Sequence, residues 1–226
     1  MEYWWNKGAD VHDHVNALAA AIKKEQDYRE EDNLRHLRLY GNMAVEGMGG
    51  KQYSRAPNRT SRHRVTLNVI QSMCDTVTAK IAKNKPKGTF LTDGGDWSMQ
   101  RKAKLLDRFC EGQFYSSDLY NIAPRAFLDS CVFGTGVIKI YEDDKAIKCE
   151  RIFPNEILVD DQEAIYGDPR QLFQIKVINR DLLESMFPEN AREIMNAAKA
   201  ESAPGYESSI EQVVCVEAWH LPSRKG

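Results

Sequence analysis

The hydrophobic period of this 226-residue chain changes at Gly134-Thr135-Gly136, and that change restricts its fold more than any other feature. Before it, apolar residues return every third or fourth position, the spacing that lines one face of a helix. After it they come in short β-prone runs. Helices first and strands later predict an α+β fold, with long N-terminal helices followed by a small mixed or antiparallel sheet packed with helices.

From Asp10, a candidate N-cap, Val11, Val15, Leu18, Ile22, Leu34 and Leu37 predict one long exposed helix that Gly41 stops. Its charged stretch from Lys23 to Asp32 reads as a solvated face or as a contact with another subunit. A second amphipathic stripe, Val65, Val69, Met73, Val77 and Ile81, widened by Ile70, ends at Pro86. Thr89-Phe90-Leu91 could form a short strand. Asp96 or Ser98 then caps a helix with Ala103, Leu106 and Cys110 on one face. Asp118 starts another, with Leu119, Ile122 and Ala126 inward and Pro124 either kinking it or opening its second half.

Past the glycines, Val137 to Tyr141 and Ala146 to Phe153 flank an acidic turn and predict a hairpin. Ile157-Leu158-Val159 adds a strand, and Gln171 to Ile178 alternates Phe173, Ile175 and Val177 on one face. A short helix fits Asp181 to Phe187, and Pro188 begins another that reaches about Lys199. Residues 202–209 read as a loop, and 212–220 as a final strand.

A chain with 42% hydrophobic and 28% charged residues is neither oily enough for a bilayer nor polar enough for wholesale disorder. The N-terminus lacks the pattern of a secretory signal, and no run of about eighteen apolar residues occurs; no membrane partner is expected. Five scattered cysteines with no CxxC pair read as reduced, buried thiols in a cytosolic folding compartment. The net charge of −2 excludes a uniformly basic nucleic-acid coat, yet residues 51–64 hold Lys51, Arg55, Arg59, Arg62 and Arg64 and no acid. A flexible segment of that composition can release counterions on meeting phosphates, or it can contact a subunit. Tyr3, Trp4 and Trp5, if left in water, would expose about 150–250 Å² each. A partner or neighbouring subunit covering them is therefore expected.

Bond-making chemistry is the weakest class. Gly134-Thr135-Gly136 lacks the third glycine and the strand-to-helix setting of a dinucleotide site, and reads instead as a helix C-terminal glycine followed by entry into a sheet. Asp160 and Asp161, with Glu163 and Asp168 near, could chelate Mg²⁺ as nuclease carboxylates do; a strand-end acidic turn is the simpler reading. The five histidines show no HxxxH or HExxH pairing, and no GxSxG elbow is present. No catalytic residue, metal site or cofactor is expected.

Four stretches together resemble the portal proteins of tailed double-stranded-DNA bacteriophages, those of short-tailed phages in particular. Asn68-Val69-Ile70 through Asp75-Thr76 to Ile81 and Pro86 is similar to the helix near the start of the portal core. Arg125-Ala126-Phe127-Leu128-Asp129 with Phe133-Gly134-Thr135-Gly136-Val137-Ile138-Lys139-Ile140 resembles the family's helix, glycine turn and strand. Ile152-Phe153-Pro154-Asn155-Glu156-Ile157-Leu158-Val159-Asp160 resembles its strand, proline and Asp-ended strand, and Val214-Cys215-Val216-Glu217-Ala218-Trp219 its later strand.

The resemblance implies a structural subunit without catalysis, in a ring of identical copies, usually a dodecamer, at one capsid vertex of the virion, assembled in the host cytoplasm. Double-stranded DNA would pass through that ring during packaging and ejection. Implied partners are the terminase, head-tail adaptor proteins, and scaffold or coat protein. Residues 1–64 would form an N-terminal helical arm and basic loop, and residues 65–226 the α/β wing-like region, with the chain stopping before the family's stem, clip and crown. The competing readings are a nucleic-acid-binding module built on residues 51–64 and a Mg²⁺-dependent nuclease built on Asp160 and Asp161.

Overall fold

Among the described residues, eight α-helices and five strands follow one another: α1 (Val11–Glu25), α2 (Asp27–Tyr40), α3 (Val69–Lys83), α4 (Trp97–Ser116), α5 (Leu119–Phe133), β1 (Val137–Asp143), β2 (Ala146–Ile152), β3 (Ile157–Leu158), α6 (Asp161–Tyr166), which the sequence reading did not foresee, β4 (Gln171–Asn179), α7 (Arg180–Met186), α8 (Ala191–Asn196) and β5 (Gln212–His220). This computed structural model describes residues 3–6, 11–42, 67–85, 87–166, 169–197, 199 and 211–221. Asp10, Val65, Pro86, Asp168 and residues 43–66 and 201–210, on which several sequence readings rest, lie outside them. The chain divides into two units, residues 1–28 with 155–226 and residues 29–154. The architecture is α+β, and its described strands form two separate antiparallel sheets, β1-β2 and β3-β4-β5.

In the first unit, Val15, Ala19 and Ile22 recur at helical spacing and are buried against Leu158 and Phe173, with Trp4, Leu18, Ile175, Val216 and Ala218 packed around them. The apolar face of α1 thus lies in the core of its own unit, not on a neighbouring subunit. The single helix expected to run to Gly41 is also broken, at Gln26. That glutamine is 4% exposed, and its amide donates to Val159 O at 2.6 Å and Asp161 Oδ1 at 2.9 Å. A buried amide is costly unless bonded, so these two partners hold the break in place. β4 pairs along its whole length with β5, from Gln171 opposite His220 to Asn179 opposite Gln212. Phe173 is fully buried and Ile175 partly so, but Val177, expected on the same buried face, is 54% exposed because core contacts stop short of that end of the strand. The helix expected to run from Pro188 to about Lys199 is a 3₁₀ turn at Pro188–Asn190 followed by α8, which stops at Asn196.

In the second unit α3 begins at Val69, since Asn68 is its N-cap and accepts from Gln71 N–H at 3.0 Å. The same Asn68 side chain donates to Tyr40 O at 2.7 Å, and Tyr40 OH donates to Asp75 Oδ1 at 2.7 Å, tying the end of α2 to the start of α3. That hydrogen bond, with partial burial, holds the Tyr40 phenol above its ordinary pKa. Asp96, not Ser98, caps α4, accepting from Met99 N–H at 3.0 Å, which keeps its carboxyl below the usual range. Thr89-Phe90-Leu91 is not a strand: the Phe90 N–H donates to the Asp107 side chain of α4 at 2.8 Å. The inward face of α4 runs through Ala103, Asp107 and Cys110, while Leu106 is 47% exposed. α5 passes through Pro124 as one helix. None of the five thiols is fully buried as expected; Cys131 is exposed and the other four are intermediate.

Asp144 and Lys145, both at positive φ, close the β1-β2 hairpin, whose two-residue turn suits the twist of the strands. Asp129 of α5 is 3% exposed and takes a two-pronged bond from Arg151 of β2, Nε to Oδ2 at 2.5 Å and Nη2 to Oδ1 at 2.6 Å. Removing one partner of a buried pair typically costs 3–5 kcal/mol. The Arg151 side chain is 41% exposed, so water offsets part of the loss. Asp129→Ala is expected to lower unfolding free energy by about 2 kcal/mol, read as a lower urea midpoint at unchanged slope. A midpoint equal to the wild type's would show that the pair adds nothing to stability.

Candidate assembly interface

The expected aromatic contact residues sit at the edge of the first unit. Trp4 leans on Phe173 with ring centroids 6.4 Å apart, and its indole N–H donates to Gln171 Oε1 at 3.1 Å. Trp5 is stacked between Tyr3, at 4.4 Å, and His220, at 4.1 Å. Arg170 donates to Tyr3 OH at 2.7 Å and lies over the same ring. Trp4 and Trp5 are half-buried by this chain's own residues and Tyr3 is 36% exposed. Much of the cover expected from a partner is therefore supplied within the unit. Lys51, Arg55, Arg59, Arg62 and Arg64 lie outside the described residues.

Asp160 and Asp161 each have structural work. Asp160 caps α6, accepting from Gln162 N–H at 2.8 Å and Glu163 N–H at 3.4 Å. Asp161 accepts from Gln26 and, at 3.0 Å, from Tyr28 OH. Glu163 accepts from Arg170 N–H at 3.0 Å. Among the described residues no three His, Cys, Asp or Glu side chains gather as metal ligands, and no helix is long and apolar enough to cross a membrane.

Among the described residues, the second unit presents exposed apolar surface. The stripe that sequence periodicity assigns to α3 is outward: Val69 is 48%, Met73 65%, Val77 45% and Ile81 41% exposed. The half-buried positions of that helix are Cys74 and Thr78, and it packs on α5. Met99, Leu106 and Phe109 of α4 are more than half or nearly half exposed, and neither α3 nor α4 has a fully buried residue. Large contiguous apolar surface on a folded chain marks an interaction site. A family of assembling proteins is what such surface calls for, and the phage P22-like portal proteins match this sequence over residues 17–225.

The chain belongs to the phage P22-like portal protein family. No curated protein matches it. Membership makes it a structural protein of the bacteriophage capsid vertex, and it implies a ring of copies there. All four stretches that carry the sequence resemblance fall within the matched residues. Sequence periodicity found the stripe on α3 without fixing what it faces; its exposure leaves it free to meet another surface. Gly134 ends the helix and opens the strand, as its sequence setting and the resemblance both require. It is the C-cap of α5 at φ +82°, donates to Ser130 O at 3.0 Å, and releases the chain into β1.

Proposed function

We propose that this portal subunit forms a closed ring through which double-stranded DNA is packaged into and ejected from the capsid, and that the ring docks the terminase and the head-tail adaptors. The observation that carries the reading is the combination of family membership with helices whose apolar faces the described chain leaves uncovered. A ring needs a large heterologous contact repeated around one axis, and outward stripes on α3 and α4 supply surface for it. Scaffold or coat protein surrounds the ring in this reading, and twelve copies is its expected size. Residues 65–226 would form the wing-like region and residues 1–64 the arm and basic loop.

Within that role Lys51, Arg55, Arg59, Arg62 and Arg64 contact DNA or a neighbouring subunit, and the remaining exposed edges of Tyr3, Trp4 and Trp5 contact a neighbour. Their charge and aromatic composition support the assignment. Electron microscopy of the full-length protein is expected to show rings with a central hole. A protein that stays monomeric at every concentration tested would overturn the proposal.

A further inference from the structure

An apolar cleft of about 300 Å³ opens between the end of α3 and the start of α5. Ile81 and Ala82 of α3, Phe114 of α4 and Leu119, Ala123 and Pro124 of α5 line it, with Tyr120 at its side. A dry cavity of about 150 Å³ already holds a benzene ring, so this cleft has room for an aromatic side chain. Its rim is basic. Lys80, Lys83, Lys85 and Lys87 fall within eight residues, and the sequence has no acid between Asp75 and Asp93. Lys85 and Lys87 line the opening; Lys85 lies over the Tyr120 ring at 4.8 Å, and Lys87 reaches Glu111 at 2.7 Å.

The opposite chemistry is displayed by the first unit. At the end of α7 the chain turns through Met186-Phe187-Pro188, with Met186 60% and Phe187 52% exposed. The turn is firmly held: Phe187 N–H donates to Leu183 O at 3.0 Å, Asn190 N–H donates to Phe187 O at 3.1 Å, and Leu183 is buried behind it. Asp181, Glu184, Glu189 and Glu193 surround this aromatic residue in sequence, against one base, Arg192. It is an aromatic knob among carboxylates.

We infer that Phe187 of one copy enters the lysine-rimmed cleft of the next, with Glu184 and Glu189 facing Lys83 and Lys85. A knob on one surface and a hole on a different one give a head-to-tail contact, the kind that closes a ring when the rotation repeats. Charge complementarity selects a second copy of this chain over an arbitrary apolar partner. The inference rests on the ring reading above, and names the surfaces that make it.

The test uses full-length protein, its ring content read by native mass spectrometry and sedimentation across concentration. Phe187→Asp and the pair Lys83→Glu with Lys85→Glu are each expected to weaken assembly roughly thirtyfold or more, as loss of a buried aromatic anchor does. Adding Glu184→Lys and Glu189→Lys to the lysine pair is expected to restore it. Independently, a photo-crosslinking benzoylphenylalanine at position 187, in mixed isotope-labelled and unlabelled protein, should join that position to residues 81–124 of another copy. If the wild type forms rings while both variants assemble as tightly as it does, this inference fails and the ring reading stands. Crosslinks that map elsewhere overturn it even if a variant misfolds. Lysine reversal that costs only DNA retention would overturn it too, assigning the lysines to phosphates. A wild type that never forms rings ends both proposals.

Discussion

Replacing Gly136 by alanine is expected to destabilise the second unit by about 3 kcal/mol or more, while the same change at Gly134, two residues earlier, costs about 1–2 kcal/mol. The two glycines are needed for different reasons. Gly134 sits at φ +82° and has open space where a Cβ would go, so alanine there meets only the strain of the left-handed region. A Cβ on Gly136 would lie 2.0 Å from the Ala126 carbonyl oxygen and 2.9 Å from its carbon. Both are backbone atoms of α5, and Ala126 is itself buried, at 5% exposure. No side chain can swing away to relieve that clash, so the first strand must move off the helix it leaves. Urea unfolding of the two variants side by side separates the causes. Equal midpoints would mean that β1 and α5 do not approach each other as closely as these distances state.

Phe173→Ala is expected to cost about 3–5 kcal/mol, the range for deleting a buried aromatic ring. Phe173 is fully buried on β4 and is the largest side chain of a small core made with Val15, Ala19, Ile22 and Leu158. Trp4 also leans on it, so its loss removes the support of the N-terminal aromatic stack as well as a core member. Because this core lies wholly within the first unit, hydrogen exchange should locate the damage. Amides of α1, β4 and β5 are expected to lose protection while those of α3 and α5 keep theirs. Uniform loss across both groups would show that the units unfold as one.

Periodicity made much of the secondary structure legible. The start of α5 at Leu119 and the final strand at Gln212–His220 stand where their patterns put them, and the β1-β2 hairpin forms with Glu142 and Asp143 drawn from the expected turn into β1. It failed where a single polar side chain decides the outcome. Gln26 breaks what would be one helix because its amide finds Val159 and Asp161 more than a hundred residues away. Asp107 captures the Phe90 N–H and so replaces a strand by a strap across α4. A local window holds no trace of either partner. Family membership was legible as well, since its four stretches keep their order along the chain. The candidate interface was not: the lysines at 80–87 and the acids around Phe187 read one at a time as solvated charge, and only exposure and the cleft beside them give the pair a shape.

Order, composition and period by themselves determined that helices precede strands, that the chain turns from one to the other at Gly134, and that α3 has an apolar side. They could not decide what that side faces, because an amphipathic stripe has the same spacing whether it is covered by its own core or by another molecule. Tertiary packing decided it. α5 contacts α3 through the Cys74 and Thr78 side and leaves Val69, Met73, Val77 and Ile81 outward, since helix contacts follow from where neighbouring backbones lie and not from hydrophobicity along one element.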